Sequence, residues 1–144
     1  AAGKTSDEPV SGIDFYPTLC TYFGVQATDP GKVDGEDLTG LLFAEATLGE
    51  RNLFWNFPSY NDPADPAKSP RSALRRGDWK IIHRYEDNGY ELYNLKVDIG
   101  ESIDLSESRP EMLKTMRDHL EASYQRFGAA ESLPRNPDYQ PDYH

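Results

Sequence analysis

Between Ile13 and Phe23 the apolar residues Ile13, Tyr16, Cys20 and Phe23 fall three and four positions apart, the spacing of one helical face. Gly24 follows as a stop. Pro17 fits a helix that starts near Asp14, because a first-turn proline lacks only an N–H that has no helical partner there. Residues 26–50 carry turn signals around Gly31 and Gly35, then Leu38, Leu41, Leu42 and Phe43. That pattern predicts a linker lying on a core, with one or two helical turns. Leu53, Trp55 and Phe57 then alternate with Phe54 and Asn56 as a strand does, and Pro58 ends the run. Residues 59–70 contain Pro63, Pro66 and Pro70 among Asn61, Asp62 and Asp65, which excludes a helix or a central strand and predicts a long loop.

From Ser72 to Leu95 the pattern is a meander: SALR, a turn at Gly77-Asp78, WKIIHRY, a turn at Asn88-Gly89 and YELYNL. Asn-Gly between alternating runs predicts a two-residue type I′ hairpin, since both residues tolerate positive φ. Three antiparallel strands follow. Ser108-x-x-Glu111 has the form of a capping box, Pro110 suits a first helical turn, and Gly128 marks the stop. Between them Leu113, Met116, Leu120, Tyr124 and Phe127 form an apolar stripe fit to cover one face of the sheet. The tail after Gly128 is polar and proline-rich, with nothing to nucleate regular structure. The predicted class is α+β, a small antiparallel sheet covered by one long C-terminal helix and preceded by a short helix.

Composition narrows the functional classes. The chain has 144 residues and 37% apolar content, enough for one modest core. Its 25 acidic and 15 basic residues give a net charge of -10, which disfavours nucleic acid and anionic membrane surfaces unless a basic cluster forms. Arg71, Arg75, Arg76, Lys80 and Arg84 are the nearest approach to one. No apolar run approaches the roughly 20 residues that span a bilayer. The single cysteine, Cys20, precludes an intrachain disulfide and leaves the compartment open. The opening Ala1-Ala-Gly-Lys-Thr-Ser lacks a signal-peptide core and reads like the interior of a surface loop.

Candidate chemistry is sparse. Cys20 sits among apolar helical neighbours, where a thiol keeps a high pKa and acts as a small hydrophobe. His83, His119 and His144 have no ligand spacing, and Asp34, Glu36 and Asp37 lack the order of a calcium loop. No glycine-rich phosphate loop is present. Arg76-Gly77-Asp78 has the letters of a cell-adhesion signal, but its context is the turn between two strands. The remaining candidate is the polar and aromatic group Trp55, Asn56, Ser59 and Tyr60 at the mouth of the long loop, with Arg71 at its far end. Aromatic faces and amides of this kind suit sugars. The alternative is that Trp55 and Tyr60 pack on the sheet while Arg71 neutralises a surface carboxylate.

The phrases PVSGIDFYPTLCTYFGV, VDGEDLTGLL, RNLFWNFPSY, SALRRGDWKII and YELYNLKVDIGE resemble, in the same order, motifs of sulfatases in the alkaline-phosphatase-like superfamily. The ending FGAAESLPRNPDY is similar to the tails of bacterial enzymes of the arylsulfatase A or N-acetylgalactosamine-6-sulfatase type. The resemblance covers almost the whole chain. It implies that residues 1–26 are a terminal helix segment of a parent α/β domain, 27–50 a linker, 51–128 a C-terminal subdomain and 129–144 an extended tail.

The resemblance implies a subdomain of a sulfuric ester hydrolase that packs on a missing N-terminal catalytic domain, shapes the substrate entrance and is inactive alone. No catalytic residue and no metal ligand carries over, because the family's C-x-[PA]-S-R motif is not in this sequence. Calcium and formylglycine are expected in the catalytic domain. Asn56, Tyr60 and Arg71 are the expected substrate-binding residues, for a sulfated carbohydrate or an aryl sulfate. Relatives often carry His where Asn56 stands, and an amide cannot transfer a proton near neutral pH. Further expectations are a periplasmic or secreted parent, no nucleic-acid or membrane partner, and self-association of the isolated chain through exposed apolar surface. Two other readings stay open: a stand-alone carbohydrate-binding module derived from a sulfatase, and a phosphodiesterase or phosphonate hydrolase of the same superfamily.

Overall fold

The computed structural model describes residues 3, 5–44, 46–58 and 69–129. The chain forms two compact units, residues 1–51 and 52–144.

In the first unit a 3₁₀ turn at Gly12–Asp14 leads into α1, Phe15–Phe23. Gly24 ends α1 at φ 67°. Its N–H donates to Thr21 O and that of Val25 to Cys20 O, the paired bonds of a Schellman stop. A second 3₁₀ turn at Pro30–Lys32 precedes α2, Thr39–Phe43. Asp37 starts α2 by accepting from Thr39 N–H at 2.8 Å and Thr39 Oγ1 at 2.9 Å. Those bonds hold the Asp37 carboxyl below its usual pKa.

Asp14 is the hub of this unit and is fully buried. Arg51 grips it with two parallel bonds, Nη1 to Oδ1 at 2.7 Å and Nη2 to Oδ2 at 2.5 Å. The N–H groups of Ser11 and Glu36 donate to the same carboxylate at 2.7 and 2.9 Å. The Thr18 hydroxyl donates to Asp14 O at 2.6 Å and accepts from Leu38 N–H at 2.9 Å. Three segments distant in sequence, residues 11–18, 36–38 and Arg51, therefore meet around Asp14. Gly35 is part of this closure, because an added Cβ would overlap the Ile13 carbonyl and the Asp14 nitrogen. Around the hub the apolar side chains face outward: Phe15, Leu19, Tyr22, Phe23 and Phe43 are exposed, and Cys20 is only half-buried instead of buried as expected.

The second unit is a four-stranded antiparallel sheet in the order β1 (Asn52–Phe57), β2 (Arg71–Arg76), β3 (Trp79–Arg84), β4 (Gly89–Asn94), followed by α3, Pro110–Phe127. Alternation sorts the strands into two faces. Leu74, Ile81 and Leu92 point to one face and pack on Met116, Leu120 and Tyr124 of α3. Phe54 stacks on Phe127 at 5.5 Å and meets Tyr124 edge-on at 5.7 Å. The other face carries a smaller cluster of Ile82, Tyr93 and Leu95.

Two local expectations are corrected. The two-residue turn is Gly77-Asp78, with Gly77 at φ 56°, the glycine-first preference of a type II′ hairpin. At the other hairpin Gly89 already pairs with Arg84, so the loop is the four residues 85–88 and only Asn88 takes positive φ, 53°. The Arg84 guanidinium lies where a Cβ at position 89 would be, so any other residue there would have to displace the end of that side chain. The capping box at Ser108 is not formed either. The cap position is Arg109, Pro110 is the first helical residue, and the Ser108 hydroxyl donates to Leu105 O at 3.3 Å. Proline needs no partner for its nitrogen, which moves the start two residues past the serine.

Asp14→Ala strands a buried guanidinium and should cost about 3–5 kcal/mol in urea denaturation; Gly35→Ala should cost roughly 1–3 kcal/mol by overpacking. Hydrogen bonding from Arg51 first, then the backbone donors, lowers the Asp14 pKa from 3.8 to about 2. Its folded-state pKa is depressed, so this stabilisation is fully present above pH about 4 and is lost as pH falls through about 2. Wild type should lose about 2 kcal/mol over that window, and the Asp14→Ala variant should not.

Candidate functional site

Across the sheet the register aligns Asn56, Ser72, His83 and Tyr90 in one row, on the face covered by α3. Sequence alternation places polar residues at positions two away from Leu74 and Ile81, and the structure joins them. Asn56 Oδ1 accepts from Ser72 Oγ at 2.9 Å and from Tyr85 OH at 2.8 Å. The Ser72 and Tyr85 hydroxyls lie 2.5 Å apart. The Tyr124 hydroxyl interacts with both of them and lies 2.9 Å from His83 Nδ1. His83 Nε2 lies 2.8 Å from Asn88 Oδ1.

The Asn88 amide oxygen only accepts, so that contact places a hydrogen on His83 Nε2. Burial is the main reason that the Tyr124 pKa is pushed up, which keeps its hydroxyl a donor. His83 is buried at 4% exposure, stacked on Tyr90 at 4.5 Å with rings 8° from parallel. Arg117 covers the Tyr90 ring at 4.5 Å, a cation–π contact. The chain of bonds runs from the β3–β4 loop to the end of β1, where it terminates on the oxygen of Asn56. The nitrogen of that amide has no acceptor among the described residues.

Arg71 lies on the opposite face. It pairs in register with Phe57, and Asn56 pairs with Ser72, so the two expected site residues leave adjacent rungs in opposite directions. Arg71 Nε donates to Ser69 O and Nη2 to Ser69 Oγ, both at 3.1 Å. On this face Trp55 and Phe57 stand exposed. Arg84 binds Asp87 and Glu91, and Lys80 binds Glu101 at 2.6 Å, so these two cations are committed. Tyr60 lies outside the described residues. In the Arg-Gly-Asp turn, Arg76 Nη1 donates to Asn52 Oδ1 at 3.1 Å and Asp78 is 3.7 Å from Lys96.

The buried row of Ser72, His83, Tyr85 and Tyr124 is what sequence reasoning missed. Its signal was present as inward-facing polar residues in alternating strands, and as a tyrosine at the polar end of the helix stripe. Among the described residues no group of three or more His, Cys, Asp or Glu could hold a metal ion, and no helix is long and apolar enough to cross a membrane.

The family model described as N-sulphoglucosamine sulphohydrolase, C-terminal, matches residues 1–126. A sulfatase of Formosa agariphila is 36% identical over 72% of this chain and 20% of its own length. An N-acetylglucosamine-6-O-sulfatase of Bacteroides thetaiotaomicron is 30% identical over 67% of this chain and 17% of its own. The chain thus spans about a fifth of the length of these curated relatives. A structure solved in complex with its substrate D-glucosamine-2-N,6-O-disulfate superimposes with a TM-score of 0.68 at 22% identity, covering 85% of this chain and 25% of that one. At that identity the likeness speaks for the fold alone.

Tyr124→Phe leaves His83 Nδ1 without its donor and should cost roughly 1–3 kcal/mol. Arg71→Ala, which removes two bonds to the buried Ser69, should cost roughly 1–3 kcal/mol in the same denaturation experiment.

Proposed function

Because the chain belongs to the N-sulphoglucosamine sulphohydrolase C-terminal family, we propose that it is the C-terminal subdomain of a sulfuric ester hydrolase, packed on a catalytic domain whose substrate entrance it helps to shape. The observation that carries this reading is a match over residues 1–126 in a chain that spans about a fifth of its relatives. The exposed apolar side chains of α1 and α2 support it. So does an open groove in the first unit, lined by Val10, Phe15, Leu38, Leu41, Leu42 and Phe43. Surface of this kind is what a subdomain presents to a larger partner.

The nucleophile and the metal site belong in this reading to the catalytic domain. Formylglycine would supply the attacking oxygen and calcium would hold the sulfate; the residues described here supply no such cluster. The contribution of this chain is binding. Arg71 offers a guanidinium at the start of β2, suited to an anionic group of a sulfated sugar, and Asn56 an amide on the other face at the end of β1; Tyr60 is expected from the sequence to add an aromatic face. The name of one relative points to 6-O-sulfated N-acetylglucosamine as the first substrate to try.

The full-length protein should release sulfate from N-acetylglucosamine 6-sulfate. Arg71→Ala should raise KM about tenfold or more, the usual loss for a hydrogen bond to a charged group, with kcat little changed. An unchanged specificity constant would remove Arg71 from the site. The isolated chain should self-associate in light scattering over a wide concentration range. A monodisperse monomer with measurable affinity for the sulfated sugar would favour a stand-alone binding module instead.

A further inference from the structure

The two edges of the four-stranded sheet are finished differently. The two-residue turn at Gly77-Asp78 makes Arg76 and Trp79 a hydrogen-bonded pair, and alternation then sets the direction of every backbone group in the sheet. On β4 the N–H and C=O of Leu92 and the C=O of Asn94 point away from β3. They are met there: Leu92 N–H donates to Asp104 Oδ1 at 3.0 Å, Leu105 N–H to Leu92 O at 2.8 Å and Asp98 N–H to Asn94 O at 3.0 Å. On β1 the same alternation turns the backbone groups of Leu53 and Trp55 toward β2 and leaves those of Asn52 and Phe54 pointing outward. Among the described residues nothing bonds to these outward N–H and C=O groups.

Natural sheets blunt a free edge with a charge, a proline or a bulge. β1 reads Asn-Leu-Phe-Trp-Asn-Phe and pairs residue for residue with β2, so it has none of the three. The exposed aromatic side chains of the described second unit also gather at this edge. Trp55 and Phe57 stand on one face at 45% and 44% exposure, and Phe127, 39% exposed, lies on the other, stacked on Phe54. We propose that the open edge of β1 takes up an extended segment of the parent protein as a fifth strand, one with apolar side chains on both of its faces. Main-chain bonds to Asn52 and Phe54 set its register, and its alternate side chains cover Trp55 and Phe57 on one side and Phe127 on the other. The parent is the occupant because this chain spans only about a fifth of its relatives, which leaves most of the protein to provide such a segment. The proposal rests on the reading of the chain as a C-terminal subdomain and names one contact through which it is held.

The test uses the full-length protein. Amide hydrogen exchange, resolved to single residues, should find the Phe54 N–H protected to within about tenfold of the Trp55 N–H, which β2 already holds. With Trp55 replaced by p-benzoylphenylalanine, photocrosslinking should join position 55 to a residue outside these 144. A Phe54 N–H that exchanges roughly a hundredfold or more faster than that of Trp55 would leave the edge unpaired and overturn the proposal. Crosslinks confined to this chain, such as to residues 59–68, would give the edge to its own loop, and crosslinks between two molecules that rise with concentration would give it to a second copy. Either result overturns the choice of occupant. In each of these cases the subdomain reading stands as long as the full-length protein carries a catalytic domain and releases sulfate. A full-length protein with no such domain would overturn both.

Discussion

The register of the sheet is the constraint on which the second unit depends. The two-residue turn at Gly77-Asp78 sets Arg76 opposite Trp79, and each following pair is then determined. Because side chains alternate, a slip of one residue would move Leu74, Ile81 and Leu92 out of the core and send Ser72 and His83 to the outer face. The same register that builds the apolar core therefore also assembles the polar row beside it. Core and row share α3, which contributes Met116 and Leu120 to one and Tyr124 to both. Buried polar groups raise the stakes of such an arrangement, since every member must find a partner, and here polar contacts run from Asn88 across His83 and Tyr124 to Ser72, Tyr85 and Asn56.

The first unit is organised differently. It buries little apolar surface of its own and is instead tied through a carboxylate. This gives a physical meaning to the sequence phrases around Asp14, Pro17-Thr18, Asp34-Gly35 and Leu38. Asp14 accepts, Thr18 bridges, Gly35 permits the approach of two backbones, and Leu38 N–H closes the ring. A buried pair of this kind adds less stability than its distances suggest, because both charges were first desolvated; it specifies which segments meet.

Much of the fold was legible in the sequence because its signals were local. Gly24 and Gly128 stop helices through left-handed geometry, the α3 stripe reads at steps of three and four, and the four strands alternate. The failures were also local. Asn88-Gly89 has the residues of a two-residue turn, but the preference of Arg84 to lie over Gly89 and pair with Asp87 and Glu91 extends the loop to four. Ser108 has the spacing of a capping box, yet Pro110 fixes the start. The Asp14–Arg51 pair spans 37 residues, and nothing in either neighbourhood announces the other. The candidate site was half legible: Asn56 and Arg71 were chosen for proximity to one loop, but strand parity sends them to opposite faces. The polar row behind Asn56 draws on two further strands, a loop and a helix, and only tertiary structure brings those together.

Asn-Gly is chemically the most perishable step in a polypeptide, since the glycine nitrogen can attack the asparagine side chain and form a succinimide. At Asn88-Gly89 both reacting partners are engaged: the side-chain oxygen accepts from His83, and the Gly89 N–H donates to Asp87 at 3.0 Å. The bonds that hold the polar row thus also retard its ageing. Were the step to deamidate, a carboxylate would replace the amide against His83 Nε2, beside a ring that stacks on Tyr90 and meets the Tyr124 hydroxyl. The slow covalent decay of one surface loop would be felt as a new charge at the edge of the buried row.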